Sequence, residues 1–85
     1  MIKYVVAGTY DEYRSHLKKN NYNPKDYRYV SSVLALHGLT DIQGFYIGRY
    51  AERVDIQEIR EKINNIKFVS KIYGKAFSYV ILDEL

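Results

Sequence analysis

Two glycines that each close an apolar run and precede a polar residue, Gly8-Thr9 and Gly48-Arg49, are the positions of this chain best suited to hold an anion. Glycine lets the backbone approach a ligand, and the free amides of a helix opening at Thr9 carry a positive partial charge that favours phosphate. Arg49 and Arg53 can add a bidentate counter-charge, while Tyr10 and Tyr50 offer ring faces on which a base stacks. Gly8, Thr9, Tyr10, Gly48, Arg49, Tyr50 and Arg53 therefore form the candidate ligand-binding site, with a nucleotide or other phosphate-bearing small molecule as the expected occupant. The chain has neither the spaced glycines of a dinucleotide loop nor the Gly-Lys-Ser/Thr of a P-loop.

Catalytic chemistry has less to work with. The chain has no cysteine, so a thiolate nucleophile, a disulfide framework and a Cys-ligated zinc are excluded. His16 is expected on the polar side of the first helix and His37 just before Gly38; neither has an adjacent partner, and they lack His-x-x-x-His spacing. Ser31 and Ser32 lack the Gly-x-Ser-x-Gly elbow and read as helix caps, and Asp41 and Glu52 read as solvated surface. The expectation is a non-enzymatic binding module without metal or cofactor.

The elements that must position these residues follow from patterning. Tyr4 to Ala7 is a continuous apolar run, hence a strand covered on both faces. Thr9 and Glu12 have capping-box spacing, with the Thr9 hydroxyl accepting from the Glu12 amide and the Glu12 carboxylate reaching back to the Thr9 amide. A helix to Lys19 follows, with Tyr10, Tyr13 and Leu17 on one face. Tyr27 to Val30 is a second strand, Val33 to Leu36 a short helix stopped by Gly38, and Gly44 to Gly48 a third strand buried on both faces. Asp55 caps the next helix, Val54 staples against Ile59, and Ile56, Ile59, Ile63 and Ile66 form its buried stripe up to a stop at Asn64-Asn65. Residues 67–73 and 76–82 flank Gly74-Lys75 as a β-hairpin would. Ile66, Val69, Tyr73, Phe77 and Val80 also step at helical intervals, but the wealth of Phe, Val, Ile and Tyr favours two strands.

The alternation predicts a single α/β domain over 1–85, a small three-layer α/β/α sandwich whose parallel sheet has strand order 2-1-3, with the C-terminal hairpin appended. In such a sheet the loops after strands 1 and 3 leave in opposite directions and open a crevice between them, which is where the seven candidate residues fall.

Ten of the 13 aromatic residues are tyrosine, a side chain that buries a ring but needs a partner or water for its hydroxyl. A tyrosine-lined face or an open strand edge thus supports a second expectation, a protein–protein interaction module that binds a host protein or forms a homo-oligomer. The formal charge is +3, yet both signs are interspersed without a long basic run, which argues against nucleic acid as partner. The N-terminal apolar stretch is too short for a signal peptide or a membrane span, so a cytoplasmic location without membrane contact is expected.

Val5-Val6-Ala7-Gly8-Thr9-Tyr10, Tyr27-Arg28-Tyr29-Val30-Ser31-Ser32, Gly38-Leu39 and Ile47-Gly48-Arg49-Tyr50-Ala51-Glu52-Arg53 together resemble a group of small, uncharacterised bacteriophage and prophage proteins. Those proteins carry an apolar strand ending in glycine, a Tyr-Val-Ser strand, a Gly-Leu turn and a Gly-x-x-x-Glu-Arg segment. The resemblance covers about residues 3 to 60 and implies a Rossmann-like arrangement, a phage setting with action in the host cytoplasm, and no particular activity. A tryptophan of the group's last segment is absent from this chain, where Arg49-Tyr50-Ala51 stands.

Overall fold

The computed structural model describes residues 2–82. Four strands, β1 (Lys3–Val6), β2 (Tyr27–Tyr29), β3 (Ile42–Tyr46) and β4 (Phe77–Ile81), form one sheet in the order β2-β1-β3-β4. Every pairing is parallel. The helices α1 (Tyr10–Lys19) and α2 (Ile56–Ile72) complete the α/β architecture, and short 3-10 helices occupy Pro24–Asp26, Val33–Leu36 and Tyr50–Glu52. The expected 2-1-3 order holds, and β4 extends it in parallel beside β3. No helix among the described residues is long and apolar enough to cross a membrane.

The unbroken apolar run of β1 has the expected consequence. Val5 and Ala7 pack with Tyr13 and Leu17 of α1, while Val6 packs with Ile59, Ile63 and Ile66 of α2, so alternate side chains serve two cores. Each fully buried aliphatic side chain contributes about 1.5–3 kcal/mol. β3 starts at Ile42 rather than Gly44, which places Gly44 inside the strand between β1 and β4.

The hairpin is not formed. Its first arm is helix: α2 runs through Asn64-Asn65 to Ile72 because both asparagines lie on the exposed side while Ile63, Ile66 and Ser70 continue the buried stripe at helical spacing. Gly74 terminates the helix. Its φ is 65°, the Lys75 amide donates to the Ser70 carbonyl at 2.8 Å, and the Gly74 amide donates to Lys71 at 3.4 Å, which is the Schellman arrangement. A left-handed glycine serves a helix end as well as a hairpin loop, and the tertiary stripe decides between them.

Two local expectations at the start of α2 also fail. Val54 is fully exposed and staples nothing, and Asp55 occupies the N-cap position without a side-chain cap bond because its carboxylate is engaged by Arg53. His16 is buried rather than polar-facing, with its ring 5.2 Å from that of Phe45.

Candidate functional site

Parallel pairing of β1 with β3 brings the two glycine loops together, with the Ile47 amide donating to the Val6 carbonyl at 2.9 Å just before them. A carboxylate of the chain itself sits in the crevice. Glu12 Oε1 accepts from the Gly8 amide at 2.8 Å and from the Arg49 amide at 3.2 Å, and Oε2 accepts from Arg49 Nε at 3.3 Å. A Cβ on Gly8 or Gly48 would lie 2.5 or 2.6 Å from Oε1, so the two glycines make room for this group. Half of the expected capping box forms: the Thr9 hydroxyl accepts from the Glu12 amide at 3.2 Å. The carboxylate does not return to the Thr9 amide but bridges the two loops instead.

Partial burial pushes the Glu12 carboxyl up, but the Arg49 amide, the Arg49 guanidinium and the Gly8 amide together outweigh that and hold it below its ordinary value. A depressed carboxyl contributes stability that is complete above the unfolded-state pKa of about 4.3. That contribution is lost as the pH falls through the lower folded-state value. Glu12→Gln should therefore flatten the acid limb of stability against pH, measured as urea midpoints. An unchanged acid limb would assign that dependence elsewhere.

The seven candidate residues divide. Gly8, Thr9, Gly48 and Arg49 surround Glu12. Tyr10 turns away to Tyr13 and Tyr29, with ring centroids 5.7 and 5.3 Å apart. Tyr50 packs on Tyr46 at 4.8 Å and lies under the Arg60 guanidinium. The Arg53 side chain is largely shielded from solvent and saturated. Its Nη1 donates to the carbonyls of Ala7 (3.1 Å) and Val30 (2.7 Å), Nη2 to Ser31 O (3.0 Å) and Asp55 Oδ2 (3.0 Å), and Nε to Asp55 Oδ1 (2.9 Å). Those bonds use all five N–H groups of a guanidinium. Arg53 thus joins the ends of β1 and β2 to the segment after β3.

The structure gathers five tyrosines on one side of the molecule. Along α1 and the edge strand β2 runs an open groove. At one end Tyr10, Tyr13 and Tyr29 are mutually in contact. At the other Tyr22 stacks on Tyr27, centroids 5.0 Å apart and planes 9° from parallel. The end of α1 places Tyr22 there: Asn21 takes a φ of 57°, its amide donates to Lys18, and the Tyr22 amide donates to Leu17 at 2.9 Å. Arg14, Lys18 and Arg28 line the same groove and are exposed. Burial raises the phenols of Tyr13 and Tyr27 above their ordinary value, so both remain neutral hydrogen-bonding groups. The Asn21 stop and the parity that puts Tyr27 and Tyr29 on the α1 face of β2 were the available signals.

No group of three or more His, Cys, Asp or Glu that could hold a metal ion occurs among the described residues. Comparison of the chain with protein-family models, with curated proteins and with solved structures finds no match to any of them.

Proposed function

We propose that the chain is a non-catalytic protein-interaction module whose tyrosine groove binds an acidic, extended segment of a partner protein. The observation that carries this reading is the convergence of Tyr10, Tyr13, Tyr22, Tyr27 and Tyr29 with Arg14, Lys18 and Arg28 on one open surface. Tyrosine offers a large, rigid, amphipathic contact at low entropic cost, and with arginine it dominates interface hot spots. The three cations add attraction for carboxylates and speed their approach. Fluorescence anisotropy with a labelled Glu-rich decapeptide and its Lys-rich counterpart tests it. The acidic peptide binds, salt weakens it, and Tyr10→Ser combined with Arg14→Glu raises Kd by about 10-fold or more. Equal behaviour of the two peptides refutes the reading.

A second reading is favoured by the donors around Glu12: an oxyanion ligand, including the phosphate of a nucleotide, takes the place of that carboxylate between Gly8 and Arg49. Inorganic phosphate should then raise the melting temperature of Glu12→Gln more than that of the wild type. Equal shifts would dismiss it.

A further inference from the structure

Among the described residues the sheet has two free edges of different character. β2 is three residues long, follows the Pro24–Asp26 turn and carries the exposed Arg28, features that blunt an edge. β4 has no such guard: Ala76 to Leu82 contains no charge and no proline. Val80 and Ile81 on it are 51% and 59% exposed.

In a strand the N–H and C=O of one residue project to the same side and alternate along the chain. The Leu82 amide donates to the Tyr46 carbonyl of β3 at 2.9 Å, so Ser78, Val80 and Leu82 turn their backbone groups to β3. Phe77, Tyr79 and Ile81 turn theirs outward. Three outward residues at alternate positions are self-complementary about the middle one. A second β4 running antiparallel pairs Tyr79 with Tyr79 and Phe77 with Ile81, each pair exchanging both hydrogen bonds. The charges that flank the strand in the sequence, Lys75 before it and Asp83-Glu84 after it, are opposite in sign, a pattern that favours an antiparallel over a parallel copy. A parallel partner sets like against like.

We propose that the chain forms a two-fold dimer through β4, joining two sheets into one continuous sheet with a tyrosine groove at each outer end. This is independent of what the grooves bind, because they flank β2 at the opposite edge.

Light scattering across a concentration series tests the dimer. The wild type reaches twice the 10.0 kDa chain mass and falls towards it on dilution. Ile81→Pro, which removes an outward donor, and Ile81→Lys, which places a charge on the exposed edge, both hold a single-chain mass with unchanged circular dichroism. Should the proline variant misfold, the lysine variant carries the comparison. In hydrogen exchange the amides of Phe77, Tyr79 and Ile81 slow by about 10-fold or more on dimerisation, while those of Ser78, Val80 and Leu82 are slow in both states. A wild type that keeps a single-chain mass at millimolar concentration overturns the proposal, as does a dimer that survives Ile81→Lys. A dimer abolished by Tyr10→Ser with Arg14→Glu but not by Ile81→Lys would move the interface to the groove and also overturn it.

Discussion

Arg53→Ala should lower stability by about 3 kcal/mol, the low end of the range for removing one partner of a buried, hydrogen-bonded charge pair, because the Asp55 side chain left behind is 26% exposed. The guanidinium satisfies the carbonyls of Ala7, Val30 and Ser31 and both oxygens of Asp55. Its side chain is 8% exposed, so water does not readily replace it. Removal leaves Asp55 uncompensated and three carbonyls without this donor. Arg53→Lys should recover little, since an ammonium has three donors and no planar fork. Arg49 provides the contrast. Its side chain is 70% exposed and its ion pair with Glu12 is screened by solvent, so Arg49→Ala should cost about 0–1 kcal/mol. Thermal melts of the three variants check the ranking, at about 4–8 °C per kcal/mol for a domain of this size. Similar melting points for Arg53→Ala and Arg49→Ala would refute the pinning role.

Gly44→Ala should destabilise by about 3 kcal/mol or more, at the upper end of overpacking costs. Gly44 pairs with Tyr4 on one side and Tyr79 on the other. A Cβ there would overlap the Tyr4 carbonyl oxygen and lie 2.8 Å from the Tyr79 ring. Tyr79 crosses the glycine so that its hydroxyl can donate to that carbonyl at 2.9 Å. Burial drives the Tyr79 phenol far above its ordinary value, keeping this donor protonated. An alanine must displace backbone on one side or the ring on the other, and backbone yields least. Tyr79→Phe, which removes only the hydrogen bond, should cost about 1–2 kcal/mol. Urea midpoints decide: a Gly44→Ala midpoint equal to or above that of Tyr79→Phe would refute the crowding argument.

What the sequence reveals divides by the range of the interaction that decides it. The covered character of β1 is written in Val5-Val6-Ala7, and the start of α1 in Thr9 and Glu12, because neighbours along the chain settle both. The final destination of the Glu12 carboxylate was not legible: its partner Arg49 is 37 residues away and is delivered by the β1–β3 register. Arg53 likewise reads as a free cation until the ends of β1 and β2 are placed beside it, 46 and 23 residues back. The C-terminal third misled through composition. Phe68 and Ile72 look like strand residues, yet they stand on the outer side of α2, 67% and 65% exposed, while the inner side is held by Ile59, Ile63, Ile66 and Ser70. Propensity gave way to the buried stripe, as short apolar runs allow.

Of the four strands, the one earliest in the sequence lies inside the sheet. Lys3 aligns with Tyr27 and with Gln43, so β1 emerges without either neighbour and waits for about 24 and then 40 further residues. At translation rates of about 5–20 residues per second, that leaves Tyr4-Val5-Val6 without both of its strand neighbours for roughly 2–8 s. For that interval the nascent chain presents an apolar strand with open edges to whatever waits at the exit tunnel.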